Sequence, residues 1–378
     1  VTYGATDSVG LVQTKSLLLD QSIELDSGER FGPVTVAYET YGALNEDKTN
    51  AVLILHALSG TAHAAGYHTP NDRRAGWWDM MIGPGKPFDT TRYFIVCSNV
   101  LGGCGGTTGP TSVRPEADET YGMNFPVISI RDMVKVQKAF VDQLGIPGLL
   151  AVAGGSMGGM QVLEWAVSYP GFVRGAIPIA CTARLSPQSI AFHEVGRRAI
   201  MADPKWKTGR YDPADPPARG LEIARMVGHI TYLSEEAMQL KFGRRLRGSQ
   251  YAYDFNPEFE VETYLKYKGE SFSRRFDANS YLYITKAMDY FDIASRSGGS
   301  LEKLFENVLS EFLILAFSSD WLFPPSQSKE IAKALRASDK EVTYIEVESP
   351  AGHDAFLLEK EKISPPIHFF LKHLSRGM

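Results

Sequence analysis

The chain has 378 residues, 44% of them hydrophobic and 22% charged, so it can bury a large core and is not a disordered segment. Thirty-nine basic against forty-four acidic side chains leave a net charge of −5 with no basic block, which argues against nucleic acid as a partner. No apolar run is long enough for a membrane span, and the first residues carry no basic segment followed by an apolar stretch, so a soluble, cytoplasmic protein is expected. Cys97, Cys104 and Cys181 are odd in number and lack zinc or redox spacing, as expected of reduced thiols.

Residues 15–43 alternate apolar and polar side chains between glycines, the pattern of antiparallel strands at a sheet edge. The runs 51–55 and 93–97 are instead unbroken apolar stretches followed by glycine-rich loops, as in parallel strands buried on both faces. A helical period over 130–144, a strand at 149–153, a helix at 160–169 and a strand at 175–180 continue the alternation that builds a doubly wound sheet. Between 183 and 297 the composition shifts to Arg, Tyr, Met and Phe at helical spacings, which predicts a helical insertion. The buried-strand pattern resumes at 311–317, followed by a helix at 326–335, a strand at 342–347 and a closing helix at 363–374. The fold class is therefore α/β, with residues 1–182 and 298–378 as core domain and 183–297 as a helical lid.

Gly154-Gly155-Ser156-Met157-Gly158-Gly159 stands between a strand and a helix, the context of a nucleophile elbow. So sharp a turn needs small residues two positions either side of the serine, and it presents the hydroxyl at a helix N-terminus that favours negative charge. A serine hydroxyl needs a base, and the base an orienting carboxylate, in the order Ser, Asp, His. Of eight histidines, His353 alone follows the last strand in a loop; His56, His63 and His68 precede the elbow, His193 and His229 lie in the insertion, and His368 and His373 lie on the last helix. Asp320 follows strand 311–317 and is the expected orienting acid. The oxyanion hole is expected from the backbone N–H groups of Met157 and, in the loop after strand 51–55, Leu58. No cluster of His, Asp or Glu has the spacing of a metal site, so no metal is expected.

With His56-Ala57-Leu58-Ser59-Gly60, Ser319-Asp320-Trp321-Leu322-Phe323-Pro324-Pro325, Gly352-His353-Asp354-Ala355-Phe356, Asn99–Cys104 and Ile223–Tyr232, the sequence resembles the homoserine O-acetyltransferase family of the α/β-hydrolase superfamily over nearly its whole length. The resemblance implies a two-step acetyl transfer from acetyl-CoA, as co-substrate rather than bound cofactor, to the hydroxyl of L-homoserine in the route to methionine. It assigns the substrate carboxylate to Arg225, whose guanidinium fork suits a carboxylate, and the substrate amino group to Asp354. Tyr232, two helical turns beyond Arg225, shares its face and is expected to assist. Members that use succinyl-CoA tend to carry arginine two residues after the triad aspartate; Leu322 at that position implies acetyl. The resemblance also implies a homodimer formed through the lid helices. The alternatives are a succinyl donor or serine acceptor on the same site, an esterase using water, and a non-catalytic binding module on the same fold.

Overall fold

The computed structural model describes residues 6–376. Its strands are β1 Lys15–Leu19, β2 Ile23–Glu24, β3 Arg30–Phe31, β4 Val34–Tyr41, β5 Ala51–Leu55, β6 Phe94–Ser98, β7 Leu149–Gly155, β8 Val173–Ile179, β9 Glu311–Phe317 and β10 Val342–Val347. Eight of them form one sheet in the order β1-β4-β6-β5-β7-β8-β9-β10, while β2 and β3 make a separate two-stranded ribbon. The pairs β1 with β4 and β4 with β6 are antiparallel, and β6 through β10 run parallel. The alternating stretch 15–43 thus supplies the antiparallel edge, and the unbroken apolar runs supply the centre.

Alternation along β5 shows why those central runs are apolar throughout. Ala51, Leu53 and Leu55 enter the core on one face of the sheet, and Val52 and Ile54 the core on the other. Each buried Val, Leu or Ile contributes about 1.5–3 kcal/mol, so both faces of such a strand favour burial. Helices α1 Ile130–Gln143 and α2 Met157–Ser168 cover the first face. Ser129 begins α1 with a capping box to Asp132, which satisfies two backbone donors that the helix start leaves open.

Between β8 and β9 the chain forms α3 Pro187–Ala202, α4 Ala218–Tyr232, α5 Glu235–Lys241, α6 Glu260–Ser273 and α7 Ala278–Asp289, followed by the short α8 Leu301–Phe305. Helix α4 packs between α3 and α6, and its C-terminal end rests against the turn that carries His353. After β9, α9 Pro325–Ala337 joins the first face, and α10 Lys360–Leu374 closes the chain on the other.

Several boundaries differ from the sequence reading. Helix α2 starts at Met157 rather than residue 160, because Gly158 and Gly159, poor helix formers, are held helical by their packing on β5 and Cys181. Strand β8 starts at Val173, two residues early, and α10 at Lys360, three residues early, with Pro365 and Pro366 inside it. No helix among the described residues is long and apolar enough to cross a membrane.

Candidate active site

The turn from β7 into α2 forces Ser156 to φ +58° and ψ −122°, a conformation that side chains other than glycine seldom adopt. Space explains the flanking glycines. A Cβ on Gly158 would lie 2.1 Å from the Leu55 carbonyl oxygen of β5, and one on Gly154 would lie 2.5 Å from the same atom. Only hydrogen fits at either position, so the elbow sits flush against the neighbouring strand and lifts the serine hydroxyl above the sheet.

That hydroxyl lies 2.8 Å from His353 Nε2, and His353 Nδ1 lies 2.7 Å from Asp320 Oδ2. An ionised carboxylate only accepts, so Nδ1 carries the proton and donates it to Asp320, leaving Nε2 to accept from Ser156. Asp320 is fixed in turn through its other oxygen, which accepts the backbone N–H groups of Leu322 at 3.0 Å and Phe323 at 2.9 Å. All three residues are buried, and Phe323 meets the His353 ring edge-on at 5.0 Å. Burial alone would lower the His353 pKa, but Asp320, by charge and hydrogen bond, and Asp354 raise it above the ordinary imidazole value. The sequence reading of Ser156, Asp320 and His353 thus falls on three groups that meet in one relay.

The N–H groups of Leu58, in the loop after β5, and of Met157, the first residue of α2, make no hydrogen bond among the described residues. What holds the Leu58 loop is His56, which sequence order had set aside. Its Nε2 accepts from the Val100 N–H at 3.1 Å, so Nδ1 carries the proton and donates to the Ala57 carbonyl at 2.8 Å. Burial pushes its pKa down to about 4, which keeps the ring neutral as this bonding requires. Asn99 approaches the same Nε2 at 3.1 Å and accepts from Gly105 N–H at 3.0 Å, so Asn99 and Val100 brace the loop that carries Leu58.

A second polar group fastens the continuation of that loop. Glu39, buried in β4, accepts from Thr14 and His68 on Oε1 (2.8 and 2.7 Å) and from Tyr41 and His63 on Oε2 (2.8 and 3.0 Å). Burial would raise the Glu39 carboxyl, but the bonds from His63, His68 and Thr14 hold it at about 2. Contrary to the sequence reading of no such cluster, Glu39, His63 and His68 bring three metal-ligating atoms within 4.8 Å of one another. Spacing could not reveal it, because the acid lies on a strand 24 residues before the nearer histidine. Four donors already fill the carboxylate, which makes the cluster a tie between sheet and loop.

Arg225 and Tyr232 reach the site from α4, and Asp354 from the turn after β10. Arg225 Nη1 donates to Ser59 Oγ at 3.3 Å, and its guanidinium lies over the rings of Tyr232 at 5.4 Å and Phe272 at 4.6 Å. Tyr232 also stands 6.1 Å, ring to ring, from His353. Gly352 makes this approach possible: at φ +72°, a Cβ there would lie 2.6 Å from Ser234 N and 2.7 Å from the Tyr232 carbonyl oxygen. Trp321 Nε1 adds a bond to the Leu233 carbonyl at 2.9 Å, tying α4 to the loop of Asp320. The Asp354 carboxyl, half-buried, is raised by burial against the pull of His353, Arg225, Lys268 and Lys241. Neither Arg225 nor Asp354 forms an ion pair among the described residues. Leu322 contributes its N–H to Asp320 and packs its half-buried side chain against the core. The thiols of Cys97, Cys104 and Cys181 are free and are pushed upward by burial.

Residues 50–360 match the family described as the alpha/beta hydrolase fold. The sequence is 55% identical over 367 residues to a homoserine O-acetyltransferase of Methanohalobium evestigatum, covering 97% of this chain and 74% of that relative. The structure resembles the homoserine O-acetyltransferase of Bacillus anthracis with a TM-score of 0.89 at 31% identity, covering 96% of this chain and 98% of that one. It also resembles esterase E22 with a TM-score of 0.88 at 30% identity, covering 96% of this chain and all of that one.

Proposed function

Because the chain belongs to the homoserine O-acetyltransferase family of α/β hydrolases, we propose that it moves acetyl from acetyl-CoA to the hydroxyl of L-homoserine, in the route to methionine. An esterase shares this fold and needs the same relay, so the relay alone does not choose the acceptor. The observation that carries the reading is the pair Arg225 and Asp354, opposite in charge, within reach of each other's field, and without an ion-pair partner among the described residues, with Asp354 next to His353. A neutral ester has no use for them; an amino acid needs both.

In this account Ser156 Oγ attacks the thioester carbonyl while His353 Nε2 takes its proton, and the N–H groups of Leu58 and Met157 hold the resulting oxyanion. The C–S bond breaks, His353 returns the proton to the departing sulfur, and acetyl-Ser156 remains. Homoserine then places its carboxylate on Arg225, assisted by Tyr232, and its ammonium on Asp354. His353 takes the proton of the homoserine hydroxyl as its oxygen attacks the acetyl carbon, and collapse of the adduct returns a proton to Ser156. Leu322 offers no cation to a distal carboxylate, and a buried unpaired carboxylate is costly, so acetyl is accepted in preference to succinyl. Helices α3 to α7, in the span 183–297 read as the lid, keep water from the acyl-enzyme.

Two results are expected. Because His353 must be neutral to accept a proton and its pKa is raised, kcat/KM for acetyl-CoA rises with pH through an inflection above the ordinary imidazole value. A profile governed by a group titrating in the ordinary carboxylate range contradicts this assignment. Arg225→Lys loses the two parallel bonds of the guanidinium and should raise KM for homoserine roughly 10- to 100-fold, while release of coenzyme A in the first half-reaction stays near normal. Equal losses in both half-reactions in stopped-flow assays would refute a role confined to the acceptor.

The assembly is read as a homodimer through the lid helices. Ile223 and Ile230, seven residues apart on α4, and Val195 on α3 are exposed apolar side chains that such an interface would cover. A cytoplasmic location follows from a biosynthetic role that consumes acetyl-CoA.

A further inference from the structure

Beyond Arg225, the insertion holds cations that the chemistry at Ser156 does not use. Tyr264, Lys268 and Phe272 follow one another at intervals of four along α6 and so share one face of it. Tyr264 carries two ammonium groups, with Lys241 Nζ 4.5 Å and Lys268 Nζ 5.4 Å from its ring centre. Phe272 carries two guanidinium groups, Arg225 at 4.6 Å and Arg275 at 5.2 Å. Arg275 Nη1 donates to the Ser59 carbonyl at 3.4 Å, and Arg225 to the hydroxyl of the same residue, so the array abuts the oxyanion loop. None of Arg225, Lys241, Lys268 and Arg275 is within ion-pair distance of a carboxylate among the described residues. Aromatic faces hold cations less strongly than carboxylates do and leave them available.

The local field agrees with this crowding. Lys268 is lowered by burial, Arg225, Lys241 and Arg74, with Asp354 alone opposing, and burial together with Arg225, Lys268, Lys241 and Arg275 pushes His229 down to about 2. Homoserine brings a single carboxylate, which Arg225 takes. The remaining charges suit an anion of several charges that must also reach Ser156. Coenzyme A meets both demands, since its thioester arm ends in a diphosphate and a phosphorylated ribose.

We propose that Lys241, Lys268 and Arg275 form a phosphate subsite that receives the diphosphate or ribose phosphate of the donor coenzyme at the entrance to the site. This rests on the reading of acetyl-CoA as donor. Like charges gathered without a partner repel one another, and a polyphosphate relieves that repulsion while its own charge speeds encounter with the site. The donor is then recognised at its nucleotide end by the insertion and at its acyl end by the elbow.

The test compares acetyl-CoA with acetylpantetheine, which has the same thioester and no phosphate, in the wild type and in the double variant Lys241→Gln/Lys268→Gln. The expected result is a fall of about 10- to 100-fold in kcat/KM for acetyl-CoA, a flatter dependence on salt, and a change of less than about twofold for acetylpantetheine. Equal falls for both donors, or no fall for either, would overturn the subsite. Calorimetric titration with coenzyme A and with pantetheine separates this inference from the activity on which it rests. If the wild type transfers no acetyl yet binds coenzyme A more tightly than pantetheine, and the double variant loses that advantage, the subsite stands and the donor reading falls. If the advantage is absent in the wild type, the subsite falls whatever the activity.

Discussion

Ser156→Ala should reduce kcat for acetyl transfer by roughly 10⁴- to 10⁶-fold, because it removes the hydroxyl proposed to accept the acetyl group while leaving the N–H groups of Leu58 and Met157 in place. His353 Nε2 loses its partner at 2.8 Å in a buried site, so a stability loss of about 1–3 kcal/mol is also expected. The elbow itself stays in place, since it is set by Gly154 and Gly158 against β5 rather than by the serine hydroxyl. Mass analysis of protein quenched after mixing with acetyl-CoA alone should show an acetylated Ser156 peptide in the wild type and none in the variant. Transfer persisting at a tenth of the wild-type rate would mean that another group, or direct attack by the acceptor, carries the reaction.

Asp320→Asn should cost about 10⁴-fold in kcat at neutral pH, for a reason of orientation as much as charge. Asp320 only accepts from His353 Nδ1, which fixes the proton there and leaves Nε2 free for Ser156. An asparagine amide can donate to Nδ1 instead, which places the proton on Nε2, where it blocks the serine. The change also removes the charge and hydrogen bond that offset burial at His353. Burial then lowers the imidazole pKa with only Asp354 opposing, so the inflection of the residual activity should move to lower pH than in the wild type. A residual profile with an unmoved inflection would show that Asp320 does not set the protonation of His353.

The sheet and the relay were legible in the sequence because each depends on a local pattern. Two-sided burial makes 51–55 and 149–153 apolar at every position, and the tight approach of α2 to β5 leaves glycine at 154 and 158. Chain order then singled out Asp320 and His353. The start of α2 was misplaced because Gly158 and Gly159 disfavour helix in isolation and are helical here through tertiary packing. The brace of His56, Asn99 and Val100 and the tie of Glu39 to His63 and His68 were not legible, since their partners lie on separate segments and neither leaves a spacing signature. One signal was present: Glu39 is a charged residue inside the strand pattern 34–41, and a buried charge requires partners. The cation array on Tyr264 and Phe272 was hidden for the same reason, because it joins α4, α5, α6 and the residues just beyond α6.

The roles proposed for Arg225 and Asp354 require acetyl to pass to an amino acid rather than to water. The most direct test incubates the purified protein with L-homoserine and acetyl-CoA, or succinyl-CoA in parallel, and identifies the products by mass spectrometry. O-acetylhomoserine formed from acetyl-CoA, with little or no succinyl product, is the predicted result. Free acetate without an acylated amino acid would contradict it, making water the acceptor at the same serine and leaving Arg225 and Asp354 without the role assigned to them.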